Sequence, residues 1–314
     1  VNALPWHILG AGSIGCLFAA YLRRAGHPVT LILRDDESVA RFRAQGGIRL
    51  HAPAQNNSGQ LTELIPTEAL GIAALNAPVS RLLICTKAHQ TLSAVRSALP
   101  ALAADAQLVL LQNGMGVREM LQAELPRAII ANAITTEGAW RRGPFDVIHA
   151  GRGTTRLGIP GQPQPSGSMA TALSCALDIQ ADADIAMSQW RKLAINCVIN
   201  PLTALRERRN GELPNEPDIG TLVHALCAEI DMVANAAGVQ LRAEELARAS
   251  FEVMYGTAAN QSSMWQDLQH RRRTEIDFIN GYVVAEAARR HIPCPANQSL
   301  LDAIKDKEAR LGCV

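Results

Sequence analysis

Several things are scarce or missing in this 314-residue chain, and each absence removes a class of function. There is no charge excess: 30 Lys and Arg against 29 Asp and Glu leave a formal net charge of +1. Nothing at the level of the whole chain therefore draws it to nucleic acid or to an anionic membrane surface. There is no cysteine framework either. Cys16, Cys85, Cys175, Cys197, Cys227, Cys294 and Cys313 are odd in number, widely spread and form no C-x-x-C pair, which argues against a disulfide scaffold and a zinc site. They read as reduced core thiols, and no metal is expected. No uninterrupted apolar stretch approaches the roughly 18 residues of a membrane span, and no basic segment leads into an apolar one ahead of Trp6. The expected address is the cytoplasm, with neither membrane nor nucleic acid as a partner. H-E-x-x-H and G-x-S-x-G are both absent, which leaves zinc-protease and serine-hydrolase chemistry unsupported.

What is present describes a globular protein. Hydrophobic residues make up 48% and charged residues 19%, enough to build packed cores. At roughly 100 to 200 residues per domain the length predicts two domains. The first half alternates short β-type runs with helical patterns, as a parallel sheet with crossover helices requires. Strands are expected at Trp6 to Leu9, Val29 to Leu33, Arg81 to Cys85 and Gln107 to Leu111, with a helix over Ser13 to Ala25. From Ala128 to Ile159 short runs punctuated by glycines predict hairpins that finish the sheet with antiparallel strands. The Pro/Gly/Ser segment Gly161 to Gly167 is a loop, followed by one more helix and a short strand. Beyond about Ala186 helical patterns dominate, near Ser188 to Arg208, Ile219 to Ala237, Ala243 to Thr257, Asp277 to Arg290 and Asn297 to Arg310. The expected architecture is an α/β Rossmann-type dinucleotide-binding domain over residues 1–185 and an all-helical substrate and catalytic domain over 186–314.

Gly10-Ala-Gly12-Ser13-Ile14-Gly15 ends one predicted strand and opens a helix, the context in which G-x-G-x-x-G binds a dinucleotide. Gly10 permits the turn, Gly12 lets a pyrophosphate approach the backbone, Gly15 allows close packing, and Ser13 and Ile14 open the helix toward the anion. The next strand ends in Arg34, where an NAD-preferring site presents an acid; an arginine suits the 2′-phosphate of NADP. The bland alternative is a solvated arginine partly neutralised by Asp35 and Asp36. Lys87, after the strand ending at Cys85, offers a second cation to that phosphate. Asn113, flanked by glycines after Leu111, is placed beside nicotinamide and substrate, with an ordinary glycine turn as the alternative.

In the second half, Lys192, Asn196 and Asn200 recur every fourth residue on a helix that is otherwise apolar on nearly every side. A polar row on a buried helix faces a cavity or costs free energy; the alternative is a narrow solvent face with Lys192 snorkelling outward. Pro201 is expected to end or kink this helix. A lysine pressed by burial toward a lower pKa suits a general acid. Asn260, Ser262, Ser263 and Asp267 concentrate small hydrogen-bonding groups. Thr274 and Asp277 read as a capping box, and Glu275 is free to hold the Lys192 ammonium. The run His270 to Arg273 reads as a solvated face.

The segments I-L-G-A-G-S-I-G, C-T-K-A-H-Q, L-Q-N-G-M-G, K-L-A-I-N-C-V-I-N-P-L-T-A, N-G-E-L and S-S-M-W-Q-D followed by T-E-I-D-F-I-N-G together resemble the ketopantoate reductase family, in family order over nearly the whole chain. The resemblance implies NADPH-dependent reduction of 2-dehydropantoate to (R)-pantoate, a step toward pantothenate and coenzyme A, in a cleft between the two domains. It further implies that Lys192 is the general acid, that Glu275 interacts with it and with substrate, and that Asn113, Asn196, Asn200, Asn260 and Ser263 bind the substrate. Gly10, Gly12, Ser13, Ile14, Gly15, Arg34, Lys87 and Asn113 would contact the cofactor. The expected partner is a small 2-oxo acid, and a homodimer is compatible with the family. His89, the charged Arg206 to Arg209 and the stretch from Arg41 to Val79 depart from the family pattern. A reductase of another branched 2-oxo acid and a non-catalytic nucleotide sensor are the alternative readings.

Overall fold

A computed structural model of the chain describes residues 4–53, 60–76, 78–162, 167–173 and 177–313. They form two compact units: residues up to Gln112 together with Val117–Ile185, and Asn113–Gly116 together with the chain from Ala186 onward.

The first unit begins with β1 (Trp6–Leu9), α1 (Ser13–Arg24), β2 (Val29–Leu33), α2 (Asp36–Gln45), β3 (Ile48–Pro53), β4 (Gln60–Ile65), β5 (Glu68–Gly71) and β6 (Val79–Ile84). It continues with α3 (Ala88–Ala98), β7 (Leu102–Leu110), α4 (Val117–Glu124), β8 (Ile129–Thr135), β9 (Gly138–Gly143), β10 (Asp146–Gly151), β11 (Thr154–Gly158), α5 (Gly167–Ala172) and β12 (Asp178–Ala181). Eight strands form one sheet in the order β12-β11-β8-β7-β6-β1-β2-β5. From β5 to β8 all neighbours are parallel, while β11 runs antiparallel to β8. All five residues of β2, Val-Thr-Leu-Ile-Leu, are buried, as expected for a parallel strand covered on both faces. The chain leaves β1 toward β2 and β5, then returns to β6 on the other side, so the carboxyl ends of β1 and β6 flank the topological switch point where open α/β sheets bind ligands.

A second sheet, β4-β3-β10-β9, covers the outer side of α1. That helix packs against β9, β10 and β3 as well as β1 and β2, which explains why Gly15 through Leu22 are all buried. The hairpin expected within Ala128 to Ile159 exists as β9 and β10, yet it joins β3 and β4 and does not extend the main sheet. In the main sheet the antiparallel strand is β11. The stretch from Arg41 to Val79, which carried no recognisable motif, supplies β3, β4 and β5; β3 pairs with β10 in the register Arg49 to Asp146, a long-range partnership invisible to local patterning. Of the loop Gly161 to Gly167, residues 163–166 lie outside the described residues, as does Cys175.

The second unit contains α6 (Ile185–Arg206), α7 (Ile219–Ala236), α8 (Ala243–Gly256), α9 (Ser263–Gln269), α10 (Asn280–Arg289) and α11 (Pro295–Leu311). No strand occurs among its described residues. Its core gathers Leu193, Val198, Leu202, Val223, Leu226, Ile230, Val233, Met254 and Ile304. Helix α7, 18 residues with a mean hydropathy of 1.2, is long and apolar enough to cross a membrane. Here Val223, Leu226, Ile230 and Val233 are its core side chains, each at 0% exposure.

Of the two outcomes open at Pro201, the helix does not end there: α6 runs on to Arg206, close to the Arg208 expected from its periodicity. One local expectation is corrected. Thr274 and Asp277 form no capping box, because a 3-10 turn over Ile276–Phe278 intervenes and delays the helix to Asn280. Thr274 instead accepts from the Ile276 N–H at 3.3 Å, and Asp277 pairs with Arg273 and Lys305 at 2.9 and 2.7 Å.

Candidate active site

In the first unit, the turn after β1 uses its three glycines differently. Gly10 has φ +104°, and a Cβ there would lie 2.7 Å from the Thr86 nitrogen. A Cβ on Gly15 would lie 1.9 Å from the Gly10 carbonyl oxygen, so α1 can start this close to β1 only without a side chain. At Gly12 an added Cβ meets nothing within 4 Å. Gly12 is the N-cap of α1 and offers no side-chain bond, so the first N–H groups of the helix, those of Ser13 and Ile14, have no capping side chain. That is the arrangement an oxyanion needs.

Arg34 follows β2 with its side chain 91% exposed and pairs with Asp35 at 3.1 Å. Asp35 also caps α2, accepting from the Ser38 N–H at 2.8 Å. Bonds from Ser38 and then Arg34 hold its carboxyl down at about 2. The neutralisation expected at Arg34 thus comes from Asp35, while Asp36 begins α2. Lys87, at the carboxyl end of β6, is the N-cap of α3. One cation at this turn is marked by no local motif. Arg141 on β9 donates Nη1 to the Ala11 carbonyl at 3.2 Å; it reaches the glycine turn only because the second sheet covers α1. Gln112, after β7, has both amide atoms buried without a partner among the described residues. The open backbone at Gly12, the uncapped helix start, the unpaired amide and the cation after β2 all fit a dinucleotide.

In the second unit, α6 carries the polar row. Leu193, Ala194, Cys197, Val198 and Ile199 are buried, while Lys192 and Asn196 are half-buried and Asn200 is 8% exposed. Burial pushes the Lys192 ammonium down to about 8, and the Glu275 carboxylate opposes that shift. Glu275 is itself 8% exposed and accepts a bond of 3.3 Å from Asn113 Nδ2. Asn113 belongs to this unit because its loop is tied here: the Met115 N–H donates to the Phe278 carbonyl at 2.9 Å, and a Cβ on Gly114, with φ +84°, would strike that same oxygen at 2.4 Å. Lys192, Glu275 and Asn113 are therefore brought together. Asn196 presents a side chain with no partner among the described residues.

Asn260 and Ser263 are both exposed. The buried hydroxyl of that segment belongs to Ser262, which caps α9 by accepting from the Trp265 N–H at 3.1 Å and meets Thr203 Oγ1 at 2.6 Å. Arg272 pairs with Asp267 at 3.2 Å, in keeping with a solvated basic run. Among the described residues no group of His, Cys, Asp and Glu is placed to hold a metal.

The family profile described as "Ketopantoate reductase PanE/ApbA" matches residues 6–162, and its companion "Ketopantoate reductase PanE/ApbA C terminal" matches residues 184–308. The chain belongs to the ketopantoate reductase family. A 2-dehydropantoate 2-reductase of Vibrio cholerae is 34% identical over 309 residues, covering 96% of this chain and 97% of its own. One from Archaeoglobus fulgidus is 30% identical, with 97% and 98% covered. Among solved structures, a PanE/ApbA family ketopantoate reductase from Ralstonia eutropha superposes with a TM-score of 0.87 at 29% identity, covering 98% and 99% of the two chains. A D-mandelate dehydrogenase bound to NADH and anilino(oxo)acetate shares the fold, with a TM-score of 0.89 at 23% identity over 98% and 99%. In a ketopantoate reductase chain, the glycine turn of the first unit and the polar row of the second are the two parts that call for a function.

Proposed function

We propose that this ketopantoate reductase family member reduces 2-dehydropantoate to (R)-pantoate with NADPH, and that Lys192 is the proton donor. The observation that carries the reading is a half-buried lysine beside a buried carboxylate, Glu275, that also holds Asn113. A lysine near 8 keeps its proton at neutral pH yet gives it up far more readily than a free one. When bound, NADPH supplies the hydride to C2 of the oxo acid. As that bond forms, the carbonyl π pair moves to oxygen, and the Lys192 ammonium donates its proton there, so that alcohol and oxidised cofactor result. Glu275 keeps the ammonium charged and placed. Asn113, Asn196 and Asn200 orient the substrate, and Asn260 and Ser263 bind its carboxylate or hydroxyl.

In the first unit, Gly10, Gly12, Ser13, Ile14 and Gly15 seat the pyrophosphate, and Arg34 and Lys87 take the 2′-phosphate. The reaction is that of a cytoplasmic biosynthetic enzyme. A homodimer is the proposed assembly, since a dimeric ketopantoate reductase from Staphylococcus aureus has this fold; sedimentation at a single-chain mass would contradict it.

The test is the initial rate of NADPH oxidation with 2-dehydropantoate beside 2-oxoisovalerate, 2-oxobutyrate and pyruvate, with NADH as cofactor control. Preference for 2-dehydropantoate with NADPH is expected. Preference for another oxo acid would retain the chemistry and change the substrate. Tight NADPH binding without turnover on any of the four would overturn the reading in favour of a nucleotide sensor.

A further inference from the structure

Pro201 sits inside α6, the helix that carries Lys192, Asn196 and Asn200. A proline has no N–H, so the carbonyl four residues earlier, that of Cys197, loses its helical donor, and the pyrrolidine ring pushes that carbonyl aside. Cys197 is fully buried, where an unpaired carbonyl is costly. The structure supplies the donor from another helix: Asn280 Nδ2, at the start of α10, donates to the Cys197 oxygen at 3.0 Å.

The same amide group donates its second hydrogen to Asn297 Oδ1 at 3.1 Å. Asn297 is fixed in turn by Glu229 of α7. The Glu229 carboxylate accepts from Asn297 Nδ2 at 2.8 Å, from the Asn297 N–H at 2.9 Å and from the Ala296 N–H at 2.7 Å. Asn280 and Asn297 are both at 0% exposure. The cost is visible at Asn280 itself, whose Oδ1 is buried without a partner among the described residues. An apolar residue of the same size would avoid that penalty, so the amide is kept for its donors.

We propose that Asn280 is a positioning residue for catalysis. By completing the helix at its proline break, it sets the register of the Lys192, Asn196 and Asn200 row against Glu275, which lies on the segment leading into α10. This inference rests on the proposed roles of that row. Its sharpest test uses the chemistry of the break. In Pro201→Ala the new N–H can reach the Cys197 carbonyl, which makes the Asn280 donor redundant.

The experiment compares Asn280→Ala, Pro201→Ala and the double variant in the NADPH-bound enzyme, with Lys192→Ala as reference. Melting temperature, NADPH affinity, kcat, KM for 2-dehydropantoate and the pH–rate profile are measured for each. Asn280→Ala is expected to lower kcat by about 10- to 100-fold, as misplacement of a catalytic group does, to move the alkaline limb of the profile, and to leave NADPH affinity unchanged. In the Pro201→Ala background the same substitution should cost on the order of tenfold less, a coupling of the kind contacting residues show. A lower melting temperature with unchanged kcat and pH profile would overturn the proposal. So would an equal loss in both backgrounds. If Asn280→Ala does not fold, Asn297→Ala carries the test: it keeps the donor but removes the acceptor that orients it, and should shift kcat and the alkaline limb in the same direction. Full turnover by Lys192→Ala would instead refute the roles of the row, whatever Asn280 does.

Discussion

Asn113 Nδ2 lies 3.3 Å from Glu275 Oε2, across 162 residues of sequence. The bond joins a glycine-flanked loop, which sequence order assigns to the nucleotide domain, to the carboxylate whose charge acts on Lys192. The Met115 N–H holds the loop there through the Phe278 carbonyl at 2.9 Å, and Gly114 and Gly116, both at positive φ, leave no room for a Cβ against Phe278 and the Tyr282 ring. Asn113 is thus fixed to the carboxylate that opposes the fall in the Lys192 pKa.

Glu275→Gln keeps an acceptor for Asn113 and removes the charge. Burial alone then acts on Lys192, so its pKa should fall below the present value of about 8. The alkaline limb of the kcat/KM profile should move to lower pH, with a loss of about 10- to 100-fold in rate at neutral pH. A pH–rate profile of the variant checks this, and an unmoved limb would separate Glu275 from Lys192.

Lys192 also makes stability depend on pH. Below about 8 folded and unfolded chains both carry the proton, and the cost of burying the cation is fully present. Between about 8 and the ordinary 10.5 the folded protein has released a proton that the unfolded chain still binds, so this group's contribution to stability rises with pH. The stability gap between Lys192→Met and the parent chain should therefore narrow from pH 8 to 10.5, as read by denaturant unfolding. A constant gap would show an unperturbed lysine.

The glycines of the turn make a paired prediction. Gly15→Ala places a Cβ 1.9 Å from the Gly10 oxygen and should impair folding of the first unit. Gly12→Ala meets nothing within 4 Å, so the melting temperature should be unchanged, while NADPH affinity falls on the order of tenfold, or about 1.4 kcal/mol. Fluorescence titration of NADPH beside thermal melts distinguishes the two.

Arg34→Ala should raise the apparent KM for NADPH and narrow its advantage over NADH, leaving kcat with saturating cofactor nearly intact. Asp35 shares the Arg34 charge at 3.1 Å, so removing Asp35 as well should add little. Cofactor preference measured as a ratio of kcat/KM values checks this, and an unchanged ratio would remove Arg34 from the 2′-phosphate site.

Much of the fold was readable because its signals are local. β1, α1 and β2 follow from apolar runs separated by a glycine turn and stopped near Gly26, and the second unit from helical periodicity. The row Lys192, Asn196 and Asn200 stood out because polar residues on an apolar helix need a reason. What escaped the sequence depends on distant partners. β3 needs β10, Arg141 reaches the glycine turn only through the second sheet, and the Asn113 loop joins the second unit through Phe278. Pro201 was legible as a break in the helical bonding, but not the group that meets the carbonyl it leaves: Asn280, 83 residues from Cys197, donates to that oxygen. Thr274 resembled a cap until the 3-10 turn moved the helix start beyond its reach.

The most direct test of the account is single-turnover hydride transfer in Lys192→Ala. Enzyme saturated with NADPH is mixed with 2-dehydropantoate, and absorbance and cofactor binding are followed together. With the proton donor gone, NADPH affinity should be retained while the transfer rate falls by about 10²- to 10⁴-fold. Transfer at the parent rate with NADPH bound normally would contradict the assignment of Lys192 as the acid.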